Sequence, residues 1–222
     1  MLKIRCSAIG KIMTNARSKS EVLSKTCKTY LQELAIEEMY SIKKEFSSRY
    51  TDKGNEVERH SIDLAQEQLD LGFMYKNTEY FENKYITGTP DVNTESCLLD
   101  VKSSYDASTF PWFAEEIPNK DYYYQLQGYM ALTGKRKSVL AYCLINTPYE
   151  IVEDEIRREH WKHHLIDESE ELRSDVEARH NFDHIPAEKR IKTFEVRYDK
   201  DVVKAIYERI EECRKYYETL IQ

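Results

Sequence analysis

Residues 86–106 read ITGTPDVNTESCLLDVKSSYD. Asp91 follows Pro90, and farther on Asp100-Val101-Lys102 ends an apolar run that opens at Leu98. A strand over 96–103 has period two, so Leu98, Asp100 and Lys102 share one face while Leu99 and Val101 share the other. Asp100 and Lys102 then stand side by side, about 7 Å apart along the backbone. A turn over 91–95 joins this strand to one over 86–89 as a hairpin, which returns Asp91 to the side of Asp100. Two adjacent carboxylates repel unless a cation lies between them. Hard oxygen donors of this kind suit Mg²⁺ or Mn²⁺, ions that keep waters and bridge to phosphate oxygens. Lys102 is placed to orient an attacking water or to help remove its proton.

Three other stretches add to the cluster. In KGNEVERHSIDL, Glu58 lies one helical turn beyond Gly54, with Ile62, Ala65 and Leu69 continuing near its face. Glu56 is the rival carboxylate, about 200° away around the helix. In DYYYQLQGYM, Gln125 and Tyr129 are i,i+4 and so share a helix face, with Tyr122 one turn earlier on the same side. A glutamine amide holds a water or a phosphate, and a tyrosine stacks on a base or bonds a phosphate. In RCSAIGKI at the N-terminus, Arg5 offers a fork for a phosphate, and Ser7 stands where a helix begins, a natural anion site.

The bulk properties set the frame. A chain of 222 residues, 41% apolar and 33% charged, suits one soluble domain with a sizeable core. The longest apolar run, 139–145, is too short to cross a bilayer, and MLKIRCSAIG lacks a signal-peptide apolar region. Five scattered cysteines without C-x-x-C spacing fit a reducing cytoplasm and argue against a cysteine-held zinc or iron–sulfur site. The net charge of −7 hides a gradient: residues 1–30 carry seven Lys or Arg against Glu21 alone, while 150–190 is acidic. A basic N-terminal face suits phosphates, although a merely solvated surface reads the same way from charge alone.

Along the chain, Ser18 and Glu21 read as a capping box opening a helix that runs to about Phe46. A turn at Asp52-Lys53-Gly54 precedes a helix over 55–71 that ends at Gly72. Strands are expected over 79–85, 86–89 and 96–103, then a helix over 120–133 stopping at Gly134, and a buried strand over 139–145. A helical, acidic excursion follows Pro148 to about Asp183, then a strand over 193–198 and a helix from Asp199 to Leu220. The expected class is mixed α/β, with a small central sheet flanked by helices, in one domain spanning 1–222.

GxxxE, GTPD, LDVK and QxxxY in that order resemble the PD-(D/E)xK nuclease superfamily. Together with RCSAIGKI and the chain length, they are similar to the lambda exonuclease and YqaJ-like viral recombinase family over residues 5–145. The resemblance implies a restriction-endonuclease-like core and a Mg²⁺-dependent deoxyribonuclease, with Mn²⁺ as a substitute and a pair of ions per site. Glu58, Asp91, Asp100 and the Val101 main-chain carbonyl would ligate metal. Lys102 would be the catalytic lysine, Gln125 would position water or phosphate, and Arg5 and Ser7 would hold a 5′-phosphate. Substrate, partners and setting follow from the same resemblance: linear double-stranded DNA degraded 5′→3′, a single-strand-annealing protein, a homotrimer, and phage recombination in the cytoplasm of a bacterial host. This chain departs from the pattern in carrying Asp100 where lambda-like members often have Glu, and the 150–190 segment matches nothing in the pattern.

Rival readings stay open on the residues. A PD-(D/E)xK endonuclease or RecB-type single-strand nuclease would use the same motifs, and a non-catalytic DNA-binding module would share the fold. His160, His163 and His164, with His180 and His184 at i,i+4, make a zinc site the weaker enzyme hypothesis.

Overall fold

In a computed structural model, which describes residues 1–44 and 48–222, strand β5 (Leu98–Ser103) runs through the centre of the molecule with both faces covered. Leu98 points into a core built with α4 (Lys120–Thr133), whereas Leu99 and Val101 pack against Ile62 and Ala65 of α3 (Arg49–Gln68). The alternation that buries both sets of aliphatics therefore aims Asp100 at α4. On one edge β5 pairs antiparallel with β4 (Val92–Asn93). On the other it pairs in parallel with β6 (Lys137–Cys143), which carries antiparallel β7 (Ile191–Arg197). A second sheet has the order β1 (Ile4–Arg5), β3 (Ile86–Gly88), β2 (Phe81–Glu82). The expected single sheet is thus two, both mixed and flanked by helices.

The hairpin also differs from the expectation. Strand β3 pairs not with β5 but with β1, Ile4 opposite Ile86 and Arg5 opposite Thr87. The turn before β5 lies at Thr94–Cys97, where the Thr94 hydroxyl both accepts from Cys97 N–H and donates to Cys97 O. Two helix starts move as well. Ser24, not Ser18, caps α2 (Lys25–Tyr40) by accepting from Cys27 N–H, and Ser18 bonds within its own turn. The helix ends at Tyr40, and its expected extension to Phe46 runs into residues outside those described. Helix α3 opens at a Ser48–Thr51 capping box, so Asp52-Lys53-Gly54 is helical. Leu69 is its C-cap, and Gly72 lies beyond it at φ 79°. The helix bounds at Lys120–Thr133 match expectation: Asn119 caps one end and Gly134 adopts the left-handed conformation at the other. Asp199 likewise caps α7 (Lys200–Ile221) through Asp201 and Val202 N–H.

Two buried polar side chains join distant segments. Gln127 of α4 donates to Arg197 O and accepts from Asp199 N–H, fixing the β7–α7 junction. Arg214 of α7 donates to Leu2 O at 2.9 Å and Lys84 O at 2.6 Å, and its guanidinium lies over Tyr85. The acidic excursion is a pair of helices, α5 (Tyr149–Lys162) and α6 (Glu170–His180). It is moored through Glu155, which faces Arg49 at 3.1 Å, His180 at 3.7 Å and the Tyr105 hydroxyl. Beneath them Lys53, fully buried, donates to Tyr105 O at 2.7 Å; burial pulls its ammonium down to about 7, with Asp106 acting the other way.

This mooring removes the zinc reading of His180. Its Nδ1 shares a hydrogen with Thr147, and it terminates α6, so His184 is not one helical turn farther along the same face. His160 is engaged at both ring nitrogens, by Ile156 O and Ser169 N–H. Among the described residues no helix is long and apolar enough to cross a membrane.

Candidate active site

Where β4 ends, the edge of β5 is open, and Asp91 occupies it. Val92 pairs with Leu99, so continuing the register sets Asp91 opposite Asp100. Asp91 Oδ2 accepts from Val101 N–H at 2.8 Å. In a strand the N–H and C=O of one residue leave by the same edge, so the Val101 carbonyl faces this gap too. Burial and the Asp100 charge push the Asp91 carboxyl up to about 7; Glu58 adds to the rise, while Lys102 and the Val101 N–H oppose it.

Asp100 is 1% exposed, and its two oxygens are differently engaged. Oδ1 accepts from Gln125 Nε2 at 3.0 Å. Oδ2 lies 2.5 Å from Lys102 Nζ in an ion pair but has no partner with hydrogen-bond geometry. Burial would lower the Lys102 ammonium, but Asp100 and Asp91 outweigh it and hold it above its ordinary range. Tyr122 sets its ring 4.9 Å from Lys102 Nζ, so it serves the lysine directly.

Glu58 reaches the rim of this cluster but is ion-paired with Lys76. Among the described residues no three His, Cys, Asp or Glu side chains converge closely enough to hold a metal unaided. The pieces nevertheless fit a hard cation. The Asp100 charge raises the proton affinity of Asp91, and the buried Asp100 Oδ2 lacks a hydrogen bond. Lysines supply the positive charge at Asp100 and at Glu58.

Tyr129 departs from the sequence reading. It is 5% exposed, too deep to stack on a base, and its hydroxyl accepts from Gln125 Nε2 at 3.1 Å. Its ring fits because residue 88 is glycine: a Cβ there would sit 2.6 Å from Tyr129 Cε1. Gly88→Ala is therefore expected to push Tyr129 off Gln125 and lower turnover about tenfold or more with the fold retained, since small misplacements of positioning groups are costly. Wild-type kcat in this variant would refute the Tyr129–Gln125 relay.

The N-terminal segment lies beside β3, with Arg5 and Ser7 both exposed. Ser7 caps no helix: it sits inside a 3₁₀ turn (Cys6–Ala8), and the Ile9–Ile12 helix that follows has no side-chain cap. Its expected role as a helix-start anion site is not supported by this geometry. Arg5 approaches the Tyr30 hydroxyl, whose pKa burial raises. Tyr30 belongs to an open cleft of about 670 Å³ that Lys11, Arg17 and Lys25 also line, with Glu21 and Glu33 among them. The sequence marked this region only as a charge excess; the folding of α1 (Ile9–Ile12) against α2 collects the charges around one opening.

No family model matches the sequence, and none of the curated proteins compared with it does. Among solved structures, a phage-related exonuclease from Haemophilus somnus 129PT superposes with a TM-score of 0.80. It is 30% identical, over 99% of this chain and 95% of that one. The alkaline exonuclease LHK-Exo from Laribacter hongkongensis has a TM-score of 0.64 at 15% identity, over 99% of this chain and 89% of that one, which speaks to the fold. LHK-Exo has also been solved with dAMP. The 30% identity to the Haemophilus protein across nearly the whole of both chains shows that this protein belongs to the phage-related exonucleases of the lambda exonuclease/YqaJ-like family.

Proposed function

We propose that the chain is a Mg²⁺-dependent exodeoxyribonuclease that degrades linear double-stranded DNA from the 5′ end in phage-type recombination. The observation that carries this reading is Asp100, buried at an open strand edge with Lys102 on one oxygen, Gln125 on the other and Asp91 alongside. Asp91, Asp100, Glu58 and the Val101 carbonyl would hold Mg²⁺ or Mn²⁺, which when bound activates water and neutralises charge on the leaving 3′-oxygen.

The chain's own residues do the rest. Lys102, 2.5 Å from Asp100 Oδ2, is placed to orient the attacking water or help remove its proton and to present positive charge to the phosphate. Gln125 keeps the Asp100 carboxylate in orientation, and Tyr129 keeps Gln125. Water attacks phosphorus in line, the P–O3′ bond breaks, the attacking water's proton passes to solvent, and the leaving 3′-oxygen takes a proton from another water to become a hydroxyl. Arg5 and the Lys11–Arg17–Lys25 cleft provide the positive surface for a terminal 5′-phosphate and the backbone behind it. A homotrimeric assembly, a single-strand-annealing partner and a bacterial-host cytoplasm complete the proposal, by likeness to the family.

Digestion of three substrates with Mg²⁺ tests it: a linear duplex with 5′-phosphate, the same duplex with 5′-hydroxyl, and a covalently closed circle. The phosphorylated duplex is expected to shorten at least about tenfold faster than the hydroxyl form, as loss of a charge-assisted contact implies. The circle is expected to survive. Cleaved circles would make the enzyme an endonuclease, and equal rates at both ends would remove the phosphate pocket.

A further inference from the structure

The segment between α3 and β2 crosses the rim of the site as a strap. Gln66 accepts from Met74 N–H and donates to Gly72 O, fixing the near end. Asn77 fixes the far end: its N–H donates to Asp91 O at 2.7 Å and its side-chain amide to Pro90 O at 3.0 Å. Between them, Met74 is buried and Lys76 reaches Glu58. The residues on either side of Met74 turn outward. Those residues are Phe73, 81% exposed, and Tyr75, 65% exposed, with ring centroids 6.2 Å apart and planes 38° from parallel.

We propose that Phe73 and Tyr75 form a stacking platform for an unpaired base at the end of a DNA substrate. The proposal rests on the nuclease reading above. Single exposed aromatics are ordinary on protein surfaces, but these are a pair on a backbone pinned at both ends. That backbone is hydrogen-bonded to Asp91, and the residue after Tyr75 touches Glu58. Aromatic faces interleaved with a lysine are the composition that holds single-stranded nucleic acid, because every base presents a π-face. Exposed Trp161 and Phe113 lack such a tie to the site. A nuclease acting at an end must part the terminal pair to bring one strand to its carboxylates, and the platform gives the freed base a surface to leave the stack for.

The test uses the full-length protein without divalent metal and a duplex with a short frayed end carrying 2-aminopurine as an unpaired base. Stacking on the platform is expected to quench the fluorophore. Phe73→Ala/Tyr75→Ala is expected to abolish the quench and weaken binding to the frayed end about tenfold or more. Phe73→Trp should retain the quench and Phe73→Leu should not, which separates stacking from bulk. Both side chains are exposed, so the fold is not at risk in these variants. Unchanged quench and affinity in the double variant, while the wild type cuts linear duplex with Mg²⁺, would overturn the platform alone. A wild type that neither binds nor cuts DNA would overturn the nuclease reading and the platform with it.

Discussion

Replacing Lys102 with alanine should lower Mg²⁺-dependent digestion by about a thousandfold or more, the range spanned by loss of a preorganised charge at a transition state. The side chain is half-buried, and its contact with another element, the Tyr122 ring of α4, is minor beside the apolar packing of β5 on α3 and α4, so circular dichroism and chromatographic behaviour should be unchanged. A second consequence distinguishes catalysis from mere folding. Asp100 Oδ2 loses its counter-charge while staying buried, which makes the carboxylate pair more demanding of a cation. Mn²⁺ should therefore raise the melting temperature of Lys102→Ala more than that of the wild type. Digestion within tenfold of wild type would show that the catalytic cation has been misplaced.

Glu155→Ala should be the most destabilising substitution in the α5–α6 excursion, costing about 2 kcal/mol, because the buried Tyr105 hydroxyl and His180 lose their acceptor while the partly exposed Arg49 and Arg179 turn to solvent. The carboxylate faces Arg49, Arg179 and His180 and accepts from the Tyr105 hydroxyl, and the Tyr105 carbonyl in turn accepts from Lys53. Without it the arginines lose a counter-charge, and the Tyr105 hydroxyl loses its acceptor. Urea denaturation reads the loss as a lower midpoint, and limited proteolysis should open first within 149–180. The Asp91–Asp100 edge lies on other elements, so the residual folded protein should still cut DNA. A midpoint within experimental scatter of wild type would mean that apolar packing of Val152, Ile156 and Val176 holds the excursion by itself.

The parts of this molecule legible in its sequence are those decided by neighbours in the chain. Helices α4 and α7 were readable because Asn119, Gly134 and Asp199 are local stop and start chemistry. Asp91, Asp100 and Lys102 were readable as a group because a short turn and a two-residue period place them together. Ser18 misled because a capping box is only a spacing, and Ser24 offers the same oxygen to a better-packed helix. Lys53 misled because a lysine beside Gly54 looks like a turn, and its partners Tyr105 and Phe182 come from far along the chain. The partner of β3 was out of reach for the same reason, since β1 lies at the opposite end of the first half. Tyr129 was assigned to a substrate because helical spacing cannot show that Gly88 leaves room to bury it. Nothing local announces that Lys76 will cover Glu58.

Arg214 adds a constraint of timing. The carbonyls it holds, at residues 2 and 84, belong to the sheet that presents Arg5, yet the guanidinium sits near the end of the last helix. A ribosome making this chain releases the strands first and their clasp last. Until then β1 is held against the turn before β3 by its own ladder and by Ile4 N–H on Tyr85 O at 3.0 Å, without the guanidinium that ties residues 2 and 84 together. The sheet that carries Arg5 is thus fully clasped only by a side chain made 130 residues after Lys84.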